Sequence, residues 1–363
     1  MIETIKRQIE VSLRSFLQRI KHEYKLRLVN PILFESIKDF TLRKGKRIRP
    51  LLLILSYKGY SKNGARLSPS LYNASTCIEL LHNFMLIHDD IIDRSNLRRG
   101  KPTLHKLLEK AAKTRNQEKL GYDLSIIAGD IVYALAIDAF LSIDEEPRRK
   151  EQALKHFIKT AAFTAMGEFI DIIHGVEKIE RIKEKDIFLN YTLKTAKYTF
   201  ECPLVIGAIL AGAKREDIVK LSHFGISIGQ AFQIQDDILG IFGSEDTIGK
   251  SILSDIAEFK KTLLVCHAYD KLDSKKKAIF MRYFSKPEKS YYDLVAIRKI
   301  FINSKSLHYS LYKIQSLLDK SRNTINTLNI KNTYRQLIWR SLISLFESSN
   351  KIAKINHVNI RII

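Results

Sequence analysis

The chain has 363 residues and a formal charge of +22, with 61 Lys and Arg against 39 Asp and Glu. Gly (15) and Pro (7) are scarce and no Gly/Ser- or Pro-rich linker divides the chain, so long helices and one domain over 1–363 are expected. The charge suits nucleic acid, an anionic membrane surface, a polyanionic substrate or merely a lysine-rich composition, but no motif or aromatic platform for nucleic acid accompanies it.

Residues 2–27 mix apolar and charged positions at helical spacing and predict an outer helix without the apolar stretch of a signal peptide. A second helical stretch after Pro31 is broken by Gly45-Lys46-Arg47-Ile48-Arg49-Pro50. Three cations in four residues between Gly and Pro make a concentrated anion site, or a solvated loop.

Residues 68–95 predict a helix that carries Asp89, Asp90 and Asp93 at the end of a long apolar run. Asp89 and Asp93 fall about 40° apart on the wheel, and His82 within about 20° of that face. Like charges at this spacing cost a helix roughly 0.2–0.5 kcal/mol, so a cation is expected there. Hard carboxylate oxygens suit Mg²⁺, and the alternative is a solvated acidic helix end. Arg98 and Arg99 follow, before Gly100 and Pro102. Adjacent side chains on a loop can turn to opposite sides and serve two different anionic groups. Residues 110–120 read as a solvated excursion.

From Tyr122 to Gly175 the pattern is helical, with Gly129-Asp130 and Gly167-Glu168 as small or polar breaks. Lys194 and Thr195 then interrupt an apolar helix, where a lysine needs a partner or must snorkel to solvent. Cys77, Cys202 and Cys266 form no CxxC pattern and predict reduced core thiols of a cytoplasmic protein. The uncharged apolar segment near 202–213 is too short to span a bilayer. Residues 229–240, GQAFQIQDDILG, form a second apolar helix interrupted by an acidic pair, Asp236 and Asp237, with Gln233 about 60° from Asp236. Two such pairs suggest two facing helices that clamp a doubly phosphorylated ligand through metal ions. From Ser274 onward the chain is helical, lysine-rich and poor in motifs.

These motifs together resemble the trans-prenyl diphosphate synthases, all-helical enzymes of isoprenoid chain elongation. The family's DDxxD motif stands here as Asp89-Asp90-Ile91-Ile92-Asp93, and its second motif as Asp236-Asp237-Ile238-Leu239-Gly240, where Gly240 departs from a third aspartate. The motif-by-motif match runs from about Gly45 to Thr262. The resemblance implies an all-α, single-domain bundle of long helices around a deep apolar cavity. It implies condensation of isopentenyl diphosphate, head to tail, with an allylic diphosphate, in a homodimer. Lys46, Arg49, His82 and Arg99 would then serve isopentenyl diphosphate. Arg98, Lys194, Lys250 and Lys260 would serve the allylic diphosphate, with Thr195 and Gln233 near the reacting carbon. Mg²⁺ would sit on Asp89, Asp93 and Asp236. Asp90 and Asp237, about 100° off the ligand faces, would bind water or basic residues behind them.

Two further positions depart from the family pattern. Glu168 stands where Gln is common, one turn before Asp171, and Phe259 stands where Gly is usual. Product length would be set by bulk upstream of Asp89. The wheel favours Met85, about 40° from Asp89, over Phe84 at about 140°. The resemblance favours Phe84 and implies geranylgeranyl diphosphate, with farnesyl or longer products as alternatives. A terpene cyclase would need no GKRIRP site or second acidic pair, and a catalytically silent partner subunit would usually have lost acidic residues. The basic surface also admits peripheral contact with a membrane.

Overall fold

Ile5, Ile9, Leu13, Phe16, Leu17 and Ile20 recur at three- and four-residue intervals, and all six are buried along one face of α1 (Ile2–Glu23). The same logic builds nearly the whole chain. The computed structural model describes residues 1–363 except 63–69, 113–115, 244–259, 287–288, 359, 361 and 363. Among the described residues the only sheet is one two-stranded hairpin, and the all-α expectation holds. The chain divides into two compact units, one made of 1–155 and 203–213, the other of 156–202 and 214–363.

In the first unit, α1 packs on α3 (Pro31–Leu42), α4 (Ile48–Tyr60) and α5 (Leu71–Ile92). The short α2 (Leu26–Val29) joins α1 to α3. The break at residues 43–47 is shorter than the Gly-to-Pro run suggested. α4 begins at Ile48 and carries Pro50 in its first turn, where a missing N–H leaves no helical bond unmade. Arg47 precedes it at φ 49°. α5 starts and ends three residues inside the expected limits, and every residue from Ala74 to Asn83 is buried.

β1 (Leu97–Arg98) and β2 (Lys101–Pro102) pair antiparallel, Arg98 opposite Lys101. Arg99 at φ 55° and Gly100 at φ 71° make the turn, the double positive φ that a two-residue hairpin needs. α6 (Leu104–Ala112) and α7 (Gln117–Leu141) follow, so the expected excursion is helical on both sides of residues 113–115, which lie outside the described set. α7 is long and apolar enough to cross a membrane by length and composition, although Asp123, Asp130 and Asp138 punctuate it. Its buried face lies on α5 and α6. α8 (Pro147–Val176) runs from the first unit into the second.

The second unit contains α9 (Glu184–Asn190), which passes without interruption into a π-helix at Tyr191–Glu201. α10 (Cys202–Leu210) follows, and its length falls almost wholly in the first unit. α11 (Arg215–Phe242) packs on the π-helix and on α15 (Ser306–Asn326). Between them in sequence come α12 (Leu263–Lys271), α13 (Ser274–Phe284) and α14 (Tyr291–Asn303). α16 (Asn332–Ile343) and α17 (Glu347–Ile355) complete the chain. All three cysteines are buried thiols outside any disulfide.

Candidate active site

The site residues named from the sequence fall into two groups, one in each unit. In the first unit the GKRIRP run sorts its cations by burial. Arg47 is 4% exposed and turns inward, where its guanidinium binds Glu10 at 2.6 Å, Glu79, and the carbonyls of Thr41 and Arg43. Burial opposes its charge, yet Glu79 and Glu10 keep its pKa above the ordinary value. Lys46 is exposed and Arg49 half-buried.

Arg99 reaches the same place from the hairpin turn. Its guanidinium lies against Gly45, 3.4 Å from the Arg43 carbonyl and 3.5 Å from His82 Nε2. Burial, then Arg49, Arg99, Arg98 and Arg47, hold His82 well below the usual histidine range. The Arg99 guanidinium thus sits beside a neutral imidazole and a backbone carbonyl. An anion bound there would gain charge-assisted hydrogen bonds.

Arg98, one residue earlier, goes the other way. Its Nη2 meets Asp89 at 3.1 Å and Asp90 at 2.5 Å. These carboxylates raise its pKa against the effect of burial. Asp90 is 1% exposed and faces inward, whereas Asp89 keeps a quarter of its side chain exposed. Asp93 caps the end of α5 and is half-buried. Among the described residues no three His, Cys, Asp or Glu side chains converge as a metal cage. The donor set at Asp89 and Asp93 is therefore a pair of hard, reachable oxygens. That suits Mg²⁺, which completes its shell with water and phosphate oxygens rather than with protein.

Phe84 and Met85 are both half-buried one turn above Asp89. The Phe84 ring stacks edge-on with His88 at 4.7 Å and lies 4.9 Å from Tyr133 on α7. His88 is fixed in turn by the Phe84 carbonyl at 3.1 Å. Tyr133 and His88 were not foreseen, because only the packing of α5 on α7 joins them to Phe84.

In the second unit Lys194 is held by α8: its Nζ lies 2.6 Å from Asp171 Oδ2 and 2.9 Å from Glu168 Oε2. Glu168 therefore acts on Lys194, adding a second carboxylate to its ammonium. Asp171 also accepts from Asn190 at 2.8 Å. Although burial works against its charge, Lys194 and Lys260 bring its pKa below the usual carboxylate range. Thr195 donates to Gln233 Oε1 at 2.5 Å, and Gln233 Nε2 donates to Asp237 Oδ1 at 2.9 Å. Tyr191 also donates to Asp237. Desolvation pushes the Asp237 carboxyl up, against those two bonds and with help from Asp236 and Asp171. Asp236 is exposed on α11. Lys250 and Phe259 lie outside the described residues. Tyr191 and Asn190 were missed, since helical spacing gives no signal for a buried hydroxyl or amide.

Residues 30–300 match the sequence profile of the polyprenyl synthetase family. Over 304 residues the chain is 34% identical to a geranylgeranyl diphosphate synthase of Sulfolobus acidocaldarius, covering 82% of this chain and 84% of that one. It is 31% identical to a geranylfarnesyl diphosphate synthase of Aeropyrum pernix over 78% of this chain and 83% of the other. Among solved structures, a geranylgeranyl pyrophosphate synthase from Corynebacterium glutamicum, complexed with isoprenyl diphosphate and magnesium, superposes with a TM-score of 0.87. That match has 26% identity and covers 96% of this chain and 99% of the other.

Proposed function

Because this chain belongs to the polyprenyl synthetase family, we propose that it is a prenyltransferase that joins isopentenyl diphosphate head to tail to allylic diphosphates, with geranylgeranyl diphosphate as its product. The observation that carries the reading is the placing of the Arg99 guanidinium against Gly45 and His82, beside a run that also carries Lys46 and Arg49, a cationic cluster suited to a diphosphate. The match to the family profile runs through both units and supports reading 1–363 as one synthase domain.

In this reading Lys46, Arg49, Arg99 and His82 bind the diphosphate of isopentenyl diphosphate, and Arg98, Lys194, Lys250 and Lys260 serve the allylic diphosphate. Asp89, Asp93 and Asp236 are the residues that would hold Mg²⁺. When bound, the ion neutralises charge that builds on the departing diphosphate. The allylic carbon–oxygen bond breaks with its electron pair on the leaving group, and the cation left behind is attacked by the alkene of isopentenyl diphosphate. Loss of a proton completes the new carbon–carbon bond, and the released diphosphate is a suitable base. Thr195 and Gln233 offer weakly polar oxygens near that cation without a strong nucleophile.

A homodimer is part of the proposal. On α8, Ile158, Met166, Phe169, Ile173 and Val176 leave between 44% and 83% of their surface exposed along one helical stripe. An apolar stripe of that length on a surface helix is characteristic of a protein interface. A cytoplasmic location and peripheral contact of the basic surface with anionic membranes belong to the same reading, supported by the charge of +22.

The test is transfer of labelled isopentenyl diphosphate into acid-labile prenyl products, with dimethylallyl, geranyl or farnesyl diphosphate as acceptor, before and after chelation of Mg²⁺. Elongation that chelation abolishes is the expected outcome. Cyclised hydrocarbon, or no transfer to any acceptor, would overturn the reading.

A further inference from the structure

One chain of hydrogen bonds in the second unit has a fixed direction. It starts at the backbone N–H of Leu263, the first residue of α12, which donates to Tyr191 Oη at 2.9 Å. The hydroxyl hydrogen of Tyr191 is consequently turned to Asp237 Oδ2. The other oxygen, Oδ1, accepts from Gln233 Nε2 at 2.9 Å. With its amide nitrogen committed there, Gln233 presents Oε1 to Thr195, whose Oγ1 donates at 2.5 Å. A backbone N–H only donates, a carbonyl oxygen only accepts, and a hydroxyl has one hydrogen to give. Gln233 is turned by Asp237, whose Oδ1 takes the amide NH₂ side, and Tyr191 and the Leu263 N–H hold Asp237 in that place.

Thr195 is the end of this series, and it has spent its hydrogen. Every other direction around its oxygen offers lone pairs alone. Tyr191 and Thr195 are 5% and 8% exposed, so water competes little for these bonds. The π-helix makes the arrangement: Tyr191 opens it and Thr195 lies four residues on, and both address the same helix, α11.

We propose that Tyr191 is a positioning residue for prenyl transfer: it holds the Asp237 side chain where Oδ1 meets the Gln233 amide nitrogen, and Gln233 so placed keeps the Thr195 hydroxyl hydrogen away from the reacting cation. A hydroxyl with only lone pairs to offer stabilises a developing positive charge, whereas an O–H aimed at it repels the charge. This assignment rests on the prenyltransferase reading above.

The experiment compares wild type, Tyr191→Phe, Thr195→Val and the double variant in steady-state turnover at saturating Mg²⁺, with thermal unfolding of each. Tyr191→Phe is expected to lower kcat about tenfold, the loss typical of one bond to a charged group, while KM for both diphosphates stays within about twofold. Thr195→Val is expected to lose a similar factor, and the double variant no more than either alone, because the two act through one series. Asp237→Asn supplies a second readout should Tyr191→Phe fold poorly. Its amide NH₂ would face Gln233, reverse the series and lower kcat with the same unchanged KM values. Wild-type kcat in folded Tyr191→Phe, or losses that multiply in the double variant, would overturn the assignment while leaving prenyl transfer intact. A wild-type protein with no prenyl transfer would overturn both.

Discussion

Arg47 and Arg49 stand two positions apart in one run of cations and end in opposite surroundings. Arg47 is clasped by Glu10 and Glu79, and Glu79 has only 2% of its side chain exposed. Removing Arg47 would strand a buried carboxylate, so Arg47→Ala is predicted to cost roughly 3–5 kcal/mol of stability, read by denaturant unfolding. Arg49→Ala and Arg99→Ala are predicted to leave stability near wild type and to raise KM for isopentenyl diphosphate, each by the roughly 1.5–3 kcal/mol of a charge-assisted bond. Equal KM changes for the allylic substrate would contradict that division of labour. The sequence made the density of cations plain, and the resemblance picked out Lys46 and Arg49. It gave no account of Arg47, because the partners that draw Arg47 inward come from α1 and α5. Glu168 is similar: its departure from the family pattern was visible, but its grip on Lys194 depends on how α8 meets the π-helix.

At the scale of elements, α5 and α7 approach so closely that a Cβ at Gly129 would come within 2.3 Å of His88 Cε1. Gly129→Ala should displace His88 and cost roughly 1–3 kcal/mol by overpacking, measured as a lowered Tm. His88 supports Phe84, and Phe84 meets Tyr133, so this contact is the best candidate for a floor to the prenyl chain. Phe84→Ser is predicted to lengthen the product and Met85→Phe to shorten it, as resolved by chromatography of the dephosphorylated alcohols. A folded, active Phe84→Ser with an unchanged product distribution would dismiss Phe84 as the floor. Helix positions were legible from apolar spacing, to within a few residues at α1 and α5, whereas the reading of 229–240 caught only the C-terminal part of α11 (Arg215–Phe242). The π-helix was not legible. Its 11 residues, YTLKTAKYTFE, carry too few apolar positions to show a wider turn, so only the hydrogen-bonding register reveals it.

For the whole molecule, the charge of +22 and the exposed apolar stripes are the properties that reach beyond a single chain. Light scattering coupled to gel filtration is predicted to give twice the chain mass of 41.9 kDa, and Phe169→Asp, at a residue 68% exposed, to shift the protein toward monomer. A wild-type monomer at micromolar concentration would contradict the dimer. The stripe on α8 was readable in principle from its spacing, but a sequence does not say which of several apolar faces the fold will cover.

Prenyl transfer is expected to depend on the acidic end of α5. The most direct measurement is the elongation of farnesyl diphosphate by isopentenyl diphosphate, with Mg²⁺ saturating, for wild type and Asp89→Ala side by side. Wild type should yield geranylgeranyl diphosphate, and Asp89→Ala, folded as judged by its unfolding curve, should be slower by orders of magnitude. No elongation by wild type, or near-normal turnover by Asp89→Ala, would contradict the account.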